Sequence, residues 1–146
     1  MNNQIAKNIV ETVKKHEGFE PKVYKCPTGH DTIGYGFKVS DMYLDEDIAQ
    51  EMLIRILIHK ENQMRDTFDW VDDMPVLVQE VLLNMCYQMG VHGVSKFKKM
   101  IKAMKKEDWA TASNEMLDSK WARSDSPHRA KELSDIVLSL SEGYYI

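Results

Sequence analysis

The sequence predicts a single α+β domain that is mostly α, with a small lobe of one helix and a β-hairpin, a helical lobe, and one long helix joining them beside a cleft. Apolar residues recur at helical spacing over most of the chain, and one early stretch is rich in the Gly, Pro and Thr of hairpins. The length of 146 residues fits one domain. We expect the small lobe at about residues 15–60 and the helical lobe at about residues 67–146, together with the N-terminal helix.

The N-terminal part of the chain predicts a helix followed by a hairpin. An amphipathic helix over about residues 3–16, ending near Gly18, is indicated by the helical spacing of Ile5, Ile9, Val10 and Val13. Residues 19–39 predict two or three short strands, with a turn at residues 27–30.

The rest of the chain predicts helices. Asp45 caps a long helix that extends to about Thr67, and Pro75 begins another helix that ends at Gly90. The long helix has an apolar stripe, which includes Ile48, Met52, Ile56 and Met64. Three more helices are predicted over about residues 95–105, 107–118 and 127–141, the last one with Ser126 as its N-cap.

A basic stretch contrasts with the net charge of −4. Six lysines are spaced like the outer face of a helix, namely Lys96, Lys98, Lys99, Lys102, Lys105 and Lys106. The inner face would consist of Phe97, Met100, Ile101 and Met104. We expect a solvated face, with contact to an anionic polymer or lipid as the alternative. The acidic net charge argues against nucleic acid as a partner.

The two cysteines and the N-terminus bear on the compartment. Cys26 and Cys86 are too few for a disulfide framework, so we expect reduced thiols, with Cys86 in a buried helix. The N-terminal residues have no apolar run of the kind found in a signal peptide or a membrane span. We therefore expect no signal peptide and no stable membrane insertion.

Three segments, in the same order along the chain, resemble the phage-type lysozymes of glycoside hydrolase family 24. The first, within residues 17–36, has Glu-Gly, then Tyr-Lys, then Thr-Ile-Gly-x-Gly. The second is Asn-Met-Cys-Tyr-Gln-Met-Gly at residues 84–90, and the third is Ser-Lys-Trp with Pro-His-Arg-Ala within residues 119–130. The resemblance implies a lysozyme-like fold and a muramidase that needs no cofactor. Its substrate would be the β-1,4 bond between N-acetylmuramic acid and N-acetylglucosamine in peptidoglycan.

The resemblance also assigns roles to particular residues. Glu17 would be the general acid, because breaking a glycosidic bond needs a protonated carboxyl beside the leaving oxygen. Partial shielding in a cleft would help it keep that proton. Thr32 would orient the attacking water, Arg129 would pair with Glu17 across the cleft, and Gln88 would line the cleft. Without the motifs, these residues would be a solvated helix end, a strand former and ordinary surface side chains.

Cys26 departs from the family, which usually has Asp at this position in the pattern Glu-x8-Asp-x5-Thr. It could be a base for water, a nucleophile, or a small residue that leaves room for water held by Thr32, and the first role is the one we favour. It could also simply pack the hairpin. An unperturbed thiol ionises only near pH 8.5, so a base would need a stabilised thiolate, for which Lys25 and His30 are near in sequence. Asp31 could supply a carboxylate instead, but strand alternation places it on the face opposite Thr32.

Two other classes of function remain open at this stage. One is a catalytically weak or inactive lysozyme-like protein that binds peptidoglycan. The other is a metal site built from Cys26, His30 and His16, although Cys-x3-His alone is a weak motif. By resemblance, we expect a monomeric phage endolysin whose partners are peptidoglycan glycan strands. It would be held in the host cytoplasm and released to the periplasm and cell wall at lysis.

Overall fold

A computed structural model describes residues 1–143, which form six α-helices and one small antiparallel sheet. The helices are α1 (Asn3–Glu17), α2 (Glu46–Thr67), α3 (Val76–Ser95), α4 (Lys98–Lys105), α5 (Trp109–Leu117) and α6 (Pro127–Ser139). The strands are β1 (Glu20–Lys25), β2 (Asp31–Gly34) and β3 (Phe37–Lys38), in the order β1-β2-β3. The predicted α+β class, mostly α, is confirmed.

The chain divides into two compact units after Ala49, within α2. The first unit contains α1 and the sheet, and the second begins at Gln50. The lobe boundaries and the cleft that the sequence suggested stay predictions.

In the first unit, local hydrogen bonds define the ends of the elements. The Asn2 side chain accepts from the Gln4 backbone N–H at 2.8 Å and begins α1, and the Gly18 N–H donates to the Lys14 carbonyl at 2.9 Å and ends it. In the β1–β2 turn, the Cys26 N–H donates to the His30 carbonyl at 2.9 Å. The predicted helix, hairpin and turn are therefore confirmed.

The apolar face predicted for α1 forms, but none of its residues is buried. Ile5, Ile9, Val10 and Val13 are between 41% and 59% exposed. The sheet of the same unit has strands of six, four and two residues. Such short strands offer little surface to cover a 15-residue helix.

The helix α2 begins as predicted, because Asp45 Oδ1 accepts from the Ile48 N–H at 2.9 Å. The predicted apolar stripe of α2 is only partly buried. Only Met64 is buried, while Ile48, Met52 and Ile56 are between 41% and 50% exposed. Periodicity identifies the apolar side of a helix, but a neighbour has to be present to bury it.

The core of the second unit lies among α3, α4, α5 and α6, joined by the last turns of α2. Its fully buried side chains include Met64, Leu82, Met85, Cys86, Met104, Met116 and Val137. The backbone of α3 breaks at Gly90, where φ is 78° and ψ is 160°, a region nearly restricted to glycine. The predicted stop at Gly90 is therefore confirmed as a kink, after which a further turn of helix continues.

The last helices follow the sequence closely, with one difference at Ser126. All six lysines between residues 96 and 106 are exposed, while Met100 and Met104 are buried, as predicted. Ser126 occupies the N-cap position of α6, but its hydroxyl makes no cap hydrogen bond. Instead it accepts from the Gln88 amide. A turn of π-helix at Trp121–Asp125, which was not predicted, precedes it. Among the described residues, no helix is both long and apolar enough to cross a membrane.

Candidate active site

Glu17 is the last residue of α1, and its carboxyl group rests on the turn between β2 and β3. A methyl group added to Gly36 would overlap Glu17 Oε2 and would lie 2.8 Å from Glu17 Cδ. Gly36 also has a φ of 71°, which L-residues rarely adopt. The Gly-x-Gly segment therefore lets the backbone approach the carboxyl closely. The side chain of Glu17 is exposed to solvent. Its partial shielding in a cleft stays a prediction.

The thiol of Cys26 lies inside the β1–β2 turn and is surrounded by hydrogen-bond donors. Cys26 Sγ is 3.1 Å from Thr28 Oγ1 and 3.4 Å from the His30 backbone nitrogen, which donates to it. These two hydrogen bonds, that of Thr28 first, lower the pKa of the Cys26 thiol to about 7. The Thr32 hydroxyl makes a smaller contribution in the same direction. Near neutral pH, a substantial fraction of Cys26 is therefore thiolate.

Lys25 does not stabilise the Cys26 thiolate, because its Nζ pairs with Asp31 Oδ1 at 2.7 Å. Neither Lys25 nor the His30 imidazole is among the causes of the lowered Cys26 pKa, and His30 acts through its backbone N–H. Sequence reasoning considered side-chain charges and missed the Thr28 hydroxyl. The short Cys-Pro-Thr-Gly turn was the signal that could have indicated it.

Thr32 is 5% exposed, and Asp31 beside it is exposed, as expected for neighbours on a strand. The Thr32 hydroxyl donates to the His30 carbonyl at 2.9 Å. Its oxygen remains able to accept a hydrogen bond, for example from a water molecule. The structure thus brings Thr32 and Cys26 together and directs Asp31 to its ion pair with Lys25.

In the second unit, Gln88 links three elements. Its Oε1 accepts from Trp121 Nε1 at 2.8 Å, and its Nε2 donates to Ser126 Oγ. The Trp121 ring meets that of Phe97 edge-on, with centroids 6.0 Å apart. This aromatic pair lines a groove of about 660 Å³. Sequence reasoning selected Gln88 but not its partners, although Trp121 lies within the third motif.

The groove beside Trp121 carries both signs of charge. Its lining includes the positively charged Lys96, Lys99 and Lys120 and the negatively charged Glu115, Asp118 and Asp125. Arg129 lies half-buried in the first turn of α6. The pairing of Arg129 with Glu17 stays a prediction.

Within residues 1–143, no three His, Cys, Asp or Glu side chains are placed to hold one metal ion. The trio of Cys26, His30 and His16 is included in this finding.

A helix that ends in an acid, a three-stranded sheet and a cluster of helices define the mostly α lysozyme-like fold. A family model described as phage lysozyme matches residues 14–135. The chain belongs to the phage lysozyme family. Membership supports a lysozyme-type peptidoglycan hydrolase as the class of this protein.

Curated relatives agree with this family. The chain is 24% identical to the probable T4-type lysozyme 1 of Dictyostelium discoideum, over 89% of this chain and 93% of that protein. It is 38% identical to the probable T4-type lysozyme 2 of the same organism, over 38% of this chain and 32% of that protein. It is 29% identical to the pre-baseplate central spike protein Gp5 of Enterobacteria phage T4, over 90% of this chain. That match spans only 28% of Gp5.

Proposed function

We propose that this protein is a muramidase that hydrolyses the β-1,4 bond between N-acetylmuramic acid and N-acetylglucosamine, with Glu17 as the general acid. The observation that carries the proposal is the close approach of the Glu17 carboxyl to Gly36. It holds an acid at a defined position in the unit that also contains Cys26 and Thr32. A fixed acid and a fixed water-directing group are the two requirements of glycoside hydrolysis.

In the proposed reaction, Glu17 gives its proton to the glycosidic oxygen as the bond from that oxygen to the anomeric carbon breaks. A water molecule attacks the anomeric carbon, and its proton passes to the Cys26 thiolate. A bound glycan would exclude water from the exposed Glu17 side chain, and this desolvation favours the protonated carboxyl. The Thr32 oxygen would accept a hydrogen bond from the attacking water.

Cys26 is supported as the base by its surroundings rather than by its residue type. Its pKa of about 7 makes the thiolate available near neutral pH. A base is most effective when its pKa lies near the working pH. The hydrogen bonds from Thr28 and His30 therefore make a thiol usable at a position where the family usually has Asp.

The biological role that we propose is that of a phage endolysin. The enzyme would accumulate in the host cytoplasm, reach the periplasm and cell wall at lysis, and act there as a monomer on glycan strands. This role rests on family resemblance, since a hydrolase of this class serves a phage by opening the wall of its host.

Replacing Glu17 with Gln tests the proposal. Because an amide cannot donate the proton, we expect Glu17→Gln to lower the release of reducing ends from purified peptidoglycan by at least about a hundredfold. The matched control is Glu11→Gln on the same helix, whose carboxylate pairs with Lys14 at 3.7 Å and should not affect turnover. Normal hydrolysis by a folded Glu17→Gln protein would refute the proposal. Binding of peptidoglycan without hydrolysis by the parent would instead indicate a binding protein.

A further inference from the structure

A dense cluster of lysines lies on and beside α4, in the unit that does not contain the residues used in the proposed reaction. Within residues 96–106 there are six lysines and no Asp or Glu. We call five of them the lysine face, namely Lys98, Lys99, Lys102, Lys105 and Lys106. All five are exposed, and none forms an ion pair with any residue in the described part of the chain.

The lysine face borders a second groove, of about 440 Å³, which shares Lys98 with the groove beside Trp121. The groove is lined by the apolar side chains of Phe68, Trp70 and Ile101 and by four lysines, Lys98, Lys102, Lys105 and Lys106. The Phe68 and Trp70 rings are 5.4 Å apart, and Lys105 Nζ lies 5.6 Å from the centre of the Trp70 ring. Trp70 is only half-buried, so part of its side chain is exposed beside lysines that form no ion pair within residues 1–143.

The inner face of α4 is not available for insertion into a membrane. Met100, Ala103 and Met104 are at most 5% exposed, because they belong to the core of the second unit. A partner would therefore meet the lysines and the rim of the groove, and α4, roughly 12 Å long, would lie along that partner's surface.

We propose that the lysine face and Trp70 bind the surface of a bilayer that contains anionic phospholipids. Lysines near such a surface are attracted to its headgroup phosphates, and the attraction acts within about one Debye length. Exposed Asp69 beside Trp70 and exposed Glu107 and Asp108 after Lys106 oppose this attraction, but five lysines outnumber these three acids. Tryptophan prefers the boundary between headgroups and acyl chains, where its ring is covered and its N–H remains hydrated. A soluble polyanion would neutralise the lysine charges but would leave the exposed part of Trp70 and Ile101 without an apolar partner. This inference does not depend on the proposed hydrolysis.

The test is co-sedimentation of the protein with vesicles of phosphatidylcholine containing about 30% phosphatidylglycerol. We expect binding to these vesicles, little binding to pure phosphatidylcholine, and weaker binding as salt is raised. The variant K102Q/K105Q/K106Q should bind at least about thirtyfold more weakly, given the contribution of each lysine near an anionic surface. Glutamine keeps the length and helix propensity of the side chains, so folding should be preserved.

A matched control removes three exposed lysines of the first unit, in the variant K7Q/K22Q/K38Q. It has the same net charge as the first variant and should bind vesicles like the parent. Trp109 and Trp121 are buried, so a blue shift of fluorescence on vesicle binding should come from Trp70 and disappear in Trp70→Phe. Equal loss of binding in the two triple variants would overturn the proposal, because net charge alone would then explain it. Binding of polyphosphate but not of vesicles would overturn it in favour of a polymer site.

Discussion

At the scale of single residues, the reactivity of Cys26 depends on two hydrogen bonds and not on a neighbouring charge. Because its pKa is lowered to about 7, the thiolate fraction grows as the pH rises through that value. If the thiolate is the base, kcat/KM, which reports the groups of the free enzyme, should therefore rise with pH through about 7. The measurement is kcat/KM on soluble glycan strands from pH 5 to 9 for the parent and for Cys26→Asp. The Asp variant should lose this dependence, because a carboxylate is ionised above about pH 4.

The variants Cys26→Ser and Cys26→Ala provide the opposing test. A serine hydroxyl does not ionise in this pH range, and an alanine methyl group cannot accept a proton. Both variants should therefore be severely impaired if the thiolate is the base. Activity near that of the parent in both would show that Cys26 has no chemical role and that Thr32-held water suffices. Cys86 does not interfere, because it is 0% exposed and burial raises the pKa of its thiol to about 11. Alkylation of the folded protein should accordingly modify Cys26 alone.

At the scale of structural elements, the turn between β2 and β3 positions the acid. In Gly36→Ala, the new methyl group would collide with the Glu17 carboxyl, and the residue would also be strained at a φ of 71°. We expect a loss of roughly 1–2 kcal/mol in the free energy of unfolding and a tenfold or greater loss of activity. Thermal melting and reducing-end release would measure the two effects.

Gly90→Ala, in α3, is the matched control for Gly36→Ala. Gly90 has a φ of 78°, but a methyl group there would meet nothing within 4 Å. This substitution should therefore destabilise the protein through backbone strain while leaving activity near normal at temperatures where it is folded. If Gly36→Ala and Gly90→Ala lose stability and activity to the same extent, the contact of Gly36 with Glu17 has no special function.

At the scale of the whole molecule, stability should be concentrated in the second unit. Met85 is fully buried there, so Met85→Ala should lower the free energy of unfolding by about 2–5 kcal/mol. Ile9, on the apolar face of α1, is 46% exposed, so Ile9→Ala should cost less than about 1 kcal/mol. Denaturant unfolding of both variants would measure the difference. A loss at Ile9 as large as that at Met85 would contradict the exposure of this face.

The sequence by itself determined most of the secondary structure and suggested the candidate site residues. The ends of α1, the cap at Asp45 and the stop at Gly90 follow from side chains within a few residues of each position, so local patterns suffice to find them. The order of the three motifs likewise indicated the family before any contact was known.

Only the tertiary structure decided which apolar faces are buried and which polar groups are already engaged. The apolar faces of α1 and α2 follow the same helical spacing as that of α4, yet most of the first two stays exposed, whereas Met100 and Met104 on α4 are buried. Ser126 was expected to cap α6, but it accepts from Gln88, which is 38 residues away. The lowered pKa of Cys26, in contrast, depends on the local fold of the β1–β2 turn, which brings the Thr28 hydroxyl and the His30 N–H to the thiol. The physical reason is that burial and hydrogen bonding depend on which groups meet in space, and periodicity along one helix or strand carries no information about its partners.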